Sequence, residues 1–112
     1  MEEPEVRIAR TESLFRNVNE RIAESAQRTD GEAAAFVCEC HDARCTEQVE
    51  APLGVYEDVR SDGTQFLLVP GHEDERVERV VAERPRYEIV RKVHRVVAAH
   101  VRRLDPRAAG TV

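Results

Sequence analysis

The sequence predicts an α+β fold, with a small antiparallel β-sheet packed by three or four helices. Two observations point there. Strand-like runs bounded by turn residues, QFLLV at 65–69 above all, sit among longer stretches of helical apolar spacing. The 112 residues also hold no Trp, three Phe and two Tyr, so a core of this size is thinly supplied with large side chains. A crosslink of some kind would help such a chain fold.

The length suits one domain, expected over 10–105. Residues 1–9 read as a loose acidic lead-in. From Arg10 to Arg28, Leu14, Phe15, Val18, Ile22 and Ala26 recur every three or four positions, which predicts a helix with that stripe in the core. A dimer seam is the other use of the same stripe. Thr11 is a candidate cap, and Asp30-Gly31 a stop. A core section follows over 33–91. In it Thr46 to Ala51 reads as a strand and Pro52 to Arg60 as a short helix with proline at its start. Gln65 to Val69 reads as the best strand, ended by Pro70-Gly71. Glu73 to Glu83 reads as a helix with Val77, Val80 and Val81 inward and acids in its first turn. Tyr87 to Val90 makes a last strand. Val93, Val97, Val101 and Leu104 define a basic C-terminal helix over 92–104, ended by Pro106, and 106–112 is expected to be loose.

All three cysteines fall within FVCECHDARC. If 36–40 is extended, Cys38 and Cys40 point to one face, because side chains alternate along a strand. The four residues from His41 to Arg44 let the chain double back and aim Cys45 at that face. Three thiolates then lack one partner to complete a tetrahedral zinc site. His41 points away from an extended Cys40, and His94 and His100 are six apart on a helix, so they do not share one face. His72 follows a strand able to lie beside 36–40, and Pro70-Gly71 can turn it inward. The expected site is therefore one structural Zn2+ on Cys38, Cys40, Cys45 and His72.

With these residues in view, FVCECHDARC, VYEDVR and QFLLVPGHEDERVERVV together resemble a group of small uncharacterised actinobacterial proteins. Their shared pattern runs Phe-x-Cys-Glu-Cys-x4-Cys, then Tyr-Glu-x-Val-Arg, then Phe-x-Val-x-Pro-Gly-His. The resemblance spans about residues 13–91 and, by pairing the cysteines with Pro-Gly-His, implies the same ligand set. His41 stands where Gly is common, and Ala51 where a capping Ser or Thr is common. The group brings no activity with it.

Function classes narrow by what is missing. There is no His-Glu-x-x-His, no deaminase pairing of His-x-Glu with Pro-Cys-x-x-Cys, no nucleophile elbow and no glycine-rich phosphate loop. Glu73 beside His72 reads as a first-turn helix residue rather than a general base. The expectation is thus a non-enzymatic, zinc-stabilised interaction or regulatory module whose partner is another protein. One alternative is a thiol-based redox sensor. Another is a nucleic-acid-binding regulator using Arg91, Lys92, Arg95, Arg102 and Arg103. Eight basic and two acidic residues lie in 84–112, against nine and twenty in 1–83. The overall charge of −5 opposes approach to DNA, and mutual neutralisation within one fold or a dimer accounts for the asymmetry. No apolar run nears the ~18 residues of a membrane span. The N-terminus MEEPEVRIAR lacks the apolar core of a signal peptide, so the expected compartment is the cytoplasm, where thiols stay reduced.

Overall fold

The computed structural model describes residues 3–108. Its elements run α1 (Pro4–Arg28), β1 (Ala33–Val37), β2 (Gln48–Pro52), α2 (Leu53–Arg60), β3 (Gln65–Leu68), β4 (Glu78–Glu83), β5 (Glu88–Lys92) and α3 (Arg95–Arg103). The class is α+β, as the sequence predicts, with three helices among the described residues. The strands form two small antiparallel sheets, β1-β2 and β3-β5-β4. Glu39 joins them, its N–H donating to Leu67 O at 2.9 Å.

Helix α1 begins at Pro4, so much of the stretch expected to be loose is helical, and Thr11 lies inside the helix instead of capping it. Proline suits a first turn because its φ is preset and that turn's N–H has no helical partner to lose. The helix ends at Thr29, where Asp30 takes the left-handed φ of 56° and Gly31 N–H reaches Ala26 O at 2.8 Å.

The apolar stripe of α1 is not its buried face. Leu14 is 63% and Val18 41% exposed, while Ala9, Glu12, Ser13, Arg16, Asn19 and Ala23 face inward. Phe15, Ile22 and Ala26 are half-buried. Three buried polar side chains set this rotation, because each finds partners inside. Arg16 donates to Gly63 O and Val101 O, both at 2.7 Å, and lies over the Phe66 ring. Glu12 meets Lys92 at 2.5 Å, and Asn19 grips β1. Each of the three makes at least one buried hydrogen bond that offsets part of the cost of burial, while Glu12 Oε1 and Arg16 Nε have no hydrogen-bond partner among the described residues.

In β3, successive side chains enter two different cores. Phe66 and Leu68 join Ala9, Cys38, Cys40, Val77, Val90, Val97 and Val101. Leu67 points the other way, to Ala23, Phe36, Val49, Ala51 and Tyr56. Helix α2 supplies Tyr56, whose ring stacks on Phe36 at 4.5 Å.

The helix expected over Glu73–Glu83 does not form. A loop runs to Val77, and Glu78–Glu83 is strand β4, paired with β5. The spacing of Val77, Val80 and Val81 imitates a helix because the strand is irregular: its register shifts between Val80 and Ala82, leaving Val81 as an extra, exposed residue. Strand β5 runs on through Lys92, so α3 starts only at Arg95. His94 caps it, accepting Val96 N–H at 3.2 Å. After α3 the chain is tied down instead of loose, since Arg107 donates to Glu20 (2.8 and 2.9 Å) and Glu57 (2.9 and 3.0 Å). Residues 109–112 lie outside the described residues. Among the described residues, no helix is long and apolar enough to cross a membrane.

Candidate metal centre

Cys38 extends β1 by one rung, its N–H donating to Glu47 O at 3.1 Å. Continued extension through Glu39 sets Cys38 and Cys40 on one side and Glu39 on the other. The return of Cys45 is built by Asp42, whose carboxylate accepts Arg44 N–H at 2.9 Å and whose carbonyl accepts Cys45 N–H at 3.0 Å. His72 is delivered by a tight turn in which its N–H bonds Val69 O at 3.1 Å. Gly71 has a φ of 89°, a conformation that strains any side-chain-bearing residue.

These segments bring Cys38, Cys40, Cys45 and His72 together, with ligand atoms all within 4.8 Å of one another. His72 Nδ1 lies 3.6 Å from Cys38 Sγ and 3.8 Å from Cys45 Sγ. Tetrahedral bonds of about 2.3 Å to sulfur and 2.1 Å to nitrogen would hold such atoms about 3.6 Å apart. The cluster can hold a metal ion. Its four members are the four residues the sequence selects.

The surroundings favour anionic sulfur. Val69 N–H donates to Cys38 Sγ at 3.2 Å. The backbone of Asp42 serves Cys40 in the same way, and that of Glu47 serves Cys45. In the bare protein the three thiols compete. Donation from Cys38, helped by His72, lowers Cys40 to about 5 despite burial. Cys38 is pushed up because it donates to Cys40 and is buried, and Cys45 is pushed up chiefly by burial. A bound dication would end that competition by ionising every coordinating thiol.

His72 is oriented from behind. Its Nε2 lies 2.8 Å from Glu47 Oε2, which leaves Nδ1 facing the sulfurs. The bond to Cys40 raises its pKa first, and Glu47 adds to that. A carboxylate on the far nitrogen of a ligating histidine fixes ring orientation and increases basicity.

Other candidates sit elsewhere. His41 turns from the sulfurs to Asp74, 3.3 Å away. Glu73 occupies the loop after His72, with no helix for it to begin. The basic residues read as one helical surface are divided. Lys92 belongs to β5 and is buried between Glu12 and Glu78, so it offers nothing to a partner. Arg91, also on β5, is held by Asp62 at 3.5 Å and Gln65 at 3.2 Å. Only Arg95, Arg102 and Arg103 of that set are exposed on α3.

Sequence reasoning missed two residues around the centre, Glu47 and Glu39. Glu39 is completely buried. Burial pushes its carboxyl group up, while Asn19, the Leu67 N–H, Arg16 and Arg60 pull it back down. The signal was available: in an extended Cys-Glu-Cys the middle side chain must face away from the sulfurs, and a carboxylate facing a core requires donors there. Compared with family models, curated proteins and solved structures, the chain matches none.

Proposed function

We propose that this protein is a non-enzymatic interaction or regulatory module whose fold is closed by one structural zinc ion on Cys38, Cys40, Cys45 and His72. The observation that carries the reading is the convergence of three sulfurs and one imidazole nitrogen within 4.8 Å. Three thiolates and an imidazole select a borderline-soft ion without geometric preference, which describes zinc, and four protein ligands leave no position for substrate or water. A closed site supports a scaffold rather than a catalyst.

Elemental analysis of protein purified without added chelator tests the metal directly. One equivalent of zinc per chain is expected, and a folded, metal-free protein overturns the reading. The partner is another protein, to be sought by pull-down with the wild type beside Cys40→Ser. Loss of a specific partner from the variant is the expected result.

A thiol-based sensor is a second use of the same centre, favoured by one asymmetry. Cys38 and Cys40 are 1% and 2% exposed, whereas Cys45 is only half-buried and sits in an irregular loop. An oxidant would therefore meet Cys45 first. Peroxide at low stoichiometry should release zinc from a sensor and leave a pure scaffold intact. The nucleic-acid alternative has less to draw on, since Lys92 is buried. Retention on heparin that falls with salt would revive it.

A further inference from the structure

The middle residue of Cys-Glu-Cys takes no part in ligation, yet it is among the most completely bonded side chains of the fold. One oxygen of Glu39 accepts Leu67 N–H at 2.9 Å. The other accepts the Asn19 amide at 2.8 Å and the Tyr56 hydroxyl at 3.3 Å. Because Glu39 N–H also reaches Leu67 O, this one residue bonds Leu67 in both directions, as a strand neighbour would. Asn19 does the same for the preceding rung. Its Nδ2 donates to Val37 O and its Oδ1 accepts Val37 N–H, both at 2.8 Å.

We infer that Glu39 and Asn19 are positioning residues of the metal centre, and that through them metal binding and docking of helix α1 form one linked equilibrium. The inference rests on the metal reading above. The segment 37–40 carries two of the four ligands and is gripped on opposite faces, by the ion through its cysteines and by α1 through Asn19 and Glu39. Strand alternation ties those faces together rigidly. If Glu39 leaves its donors, the strand can roll about its axis and carry Cys38 and Cys40 out of register with His72. Ligand atoms must be held within about half an ångström to bind well. Groups that orient ligands without touching the metal are typically worth about 10- to 100-fold in affinity. The linkage also runs backwards, because coupling between two binding events is reciprocal. An ion on the sulfurs must therefore protect the Val37 and Leu67 amides that Asn19 and Glu39 cover.

The test uses the full chain with Co2+ as probe, read by its visible absorption and by competition with a chromophoric chelator. Glu39→Ala and Asn19→Ala should weaken Co2+ binding about tenfold or more and alter the absorption bands. Glu39→Gln keeps an acceptor for Leu67 but sets an amide against that of Asn19, so it should fall between Glu39→Ala and wild type. Arg107→Ala removes the Arg107 bonds to Glu20, the residue next to Asn19, and leaves the Asn19 and Glu39 bonds themselves in place. It should therefore lower stability and weaken Co2+ binding less than Asn19→Ala, with the wild-type spectrum. Hydrogen exchange of the wild type supplies the reverse arm: removing the metal should speed exchange at Val37 and Leu67 more than at Val90. Should Glu39→Ala fail to fold, the Gln variant and the wild-type exchange decide the matter. Wild-type affinity in the Glu39 variants, or exchange at Val37 and Leu67 that ignores the metal, overturns the positioning role and leaves the metal site standing. Wild-type protein that takes up no Co2+ overturns both.

Discussion

The two apolar clusters on either side of β3 are made of different materials. Around Tyr56 the core closes on a stacked aromatic pair, with Ala23, Val49, Ala51 and Leu67 filling in. On the other side the only aromatic ring is Phe66, over which lie Arg16 at 4.6 Å and Lys92 at 4.9 Å. Two of that cluster's buried members are the cysteines 38 and 40. One half is consolidated by ring packing, the other by buried charge and sulfur. The contrast places the cluster that can hold a metal ion on the side whose interior is built from aliphatic side chains, sulfur and buried charge, with one ring in place of a stacked pair.

The largest effect should come from the metal. Chelation, or Cys40→Ser, removes a contribution that reaches about 10 kcal/mol in small zinc domains, so the cooperative thermal transition should disappear or fall by more than about 20 °C. Calorimetry with and without chelator measures this, and an unmoved transition would erase the distinction between the halves. Next is Phe36→Ala, which opens the aromatic cluster and should cost about 3–5 kcal/mol. Urea denaturation of the metal-loaded chain measures that loss.

An intermediate effect depends on pH. Glu12 shares Lys92 with Glu78, all three buried, so one ammonium faces two carboxyl groups. Burial first, and Glu78 after it, push Glu12 from 4.5 up to about 8 against the pull of Lys92. The native chain thus keeps a proton that the unfolded chain releases. Stability from this source is complete below 4.5 and should be lost as pH rises towards 8. Urea midpoints across that range should slope downwards in wild type and flatten in Glu12→Gln. The smallest effect is that of Tyr56→Phe, which keeps the stacked ring and removes one bond to Glu39, at about 1 kcal/mol. Urea denaturation resolves a change of that size.

The sequence made the clustering of three cysteines and His72 readable because ligand chemistry is sparse and local. Three cysteines in eight positions, with one histidine after a turn, leave few ways to complete a tetrahedron. The class and most strands were readable for a similar reason, since QFLLV and the flanking turns carry their own signal. The failures share another cause. Apolar periodicity assumes that apolar faces point inward, and α1 buries Glu12, Arg16 and Asn19 while showing Leu14 to solvent. Partners for those polar groups lie up to 85 residues away, as between Arg16 and Val101, where no local pattern can reveal them. Lys92 was read as surface for the same reason. Strand β4 was hidden because Val81, the surplus residue, puts a valine at an exposed position of the strand, so that Val77, Val80 and Val81 resemble a helical repeat.

That surplus residue has a consequence beyond the fold. Strand β4 is an outer strand of its sheet, so its free margin could in principle be extended by another copy of the chain. Val81 disturbs the pleat along that margin, and Arg79 and Glu83 place charge on it. An incoming strand would meet a kinked and charged template, which makes this margin a poor seed for filaments.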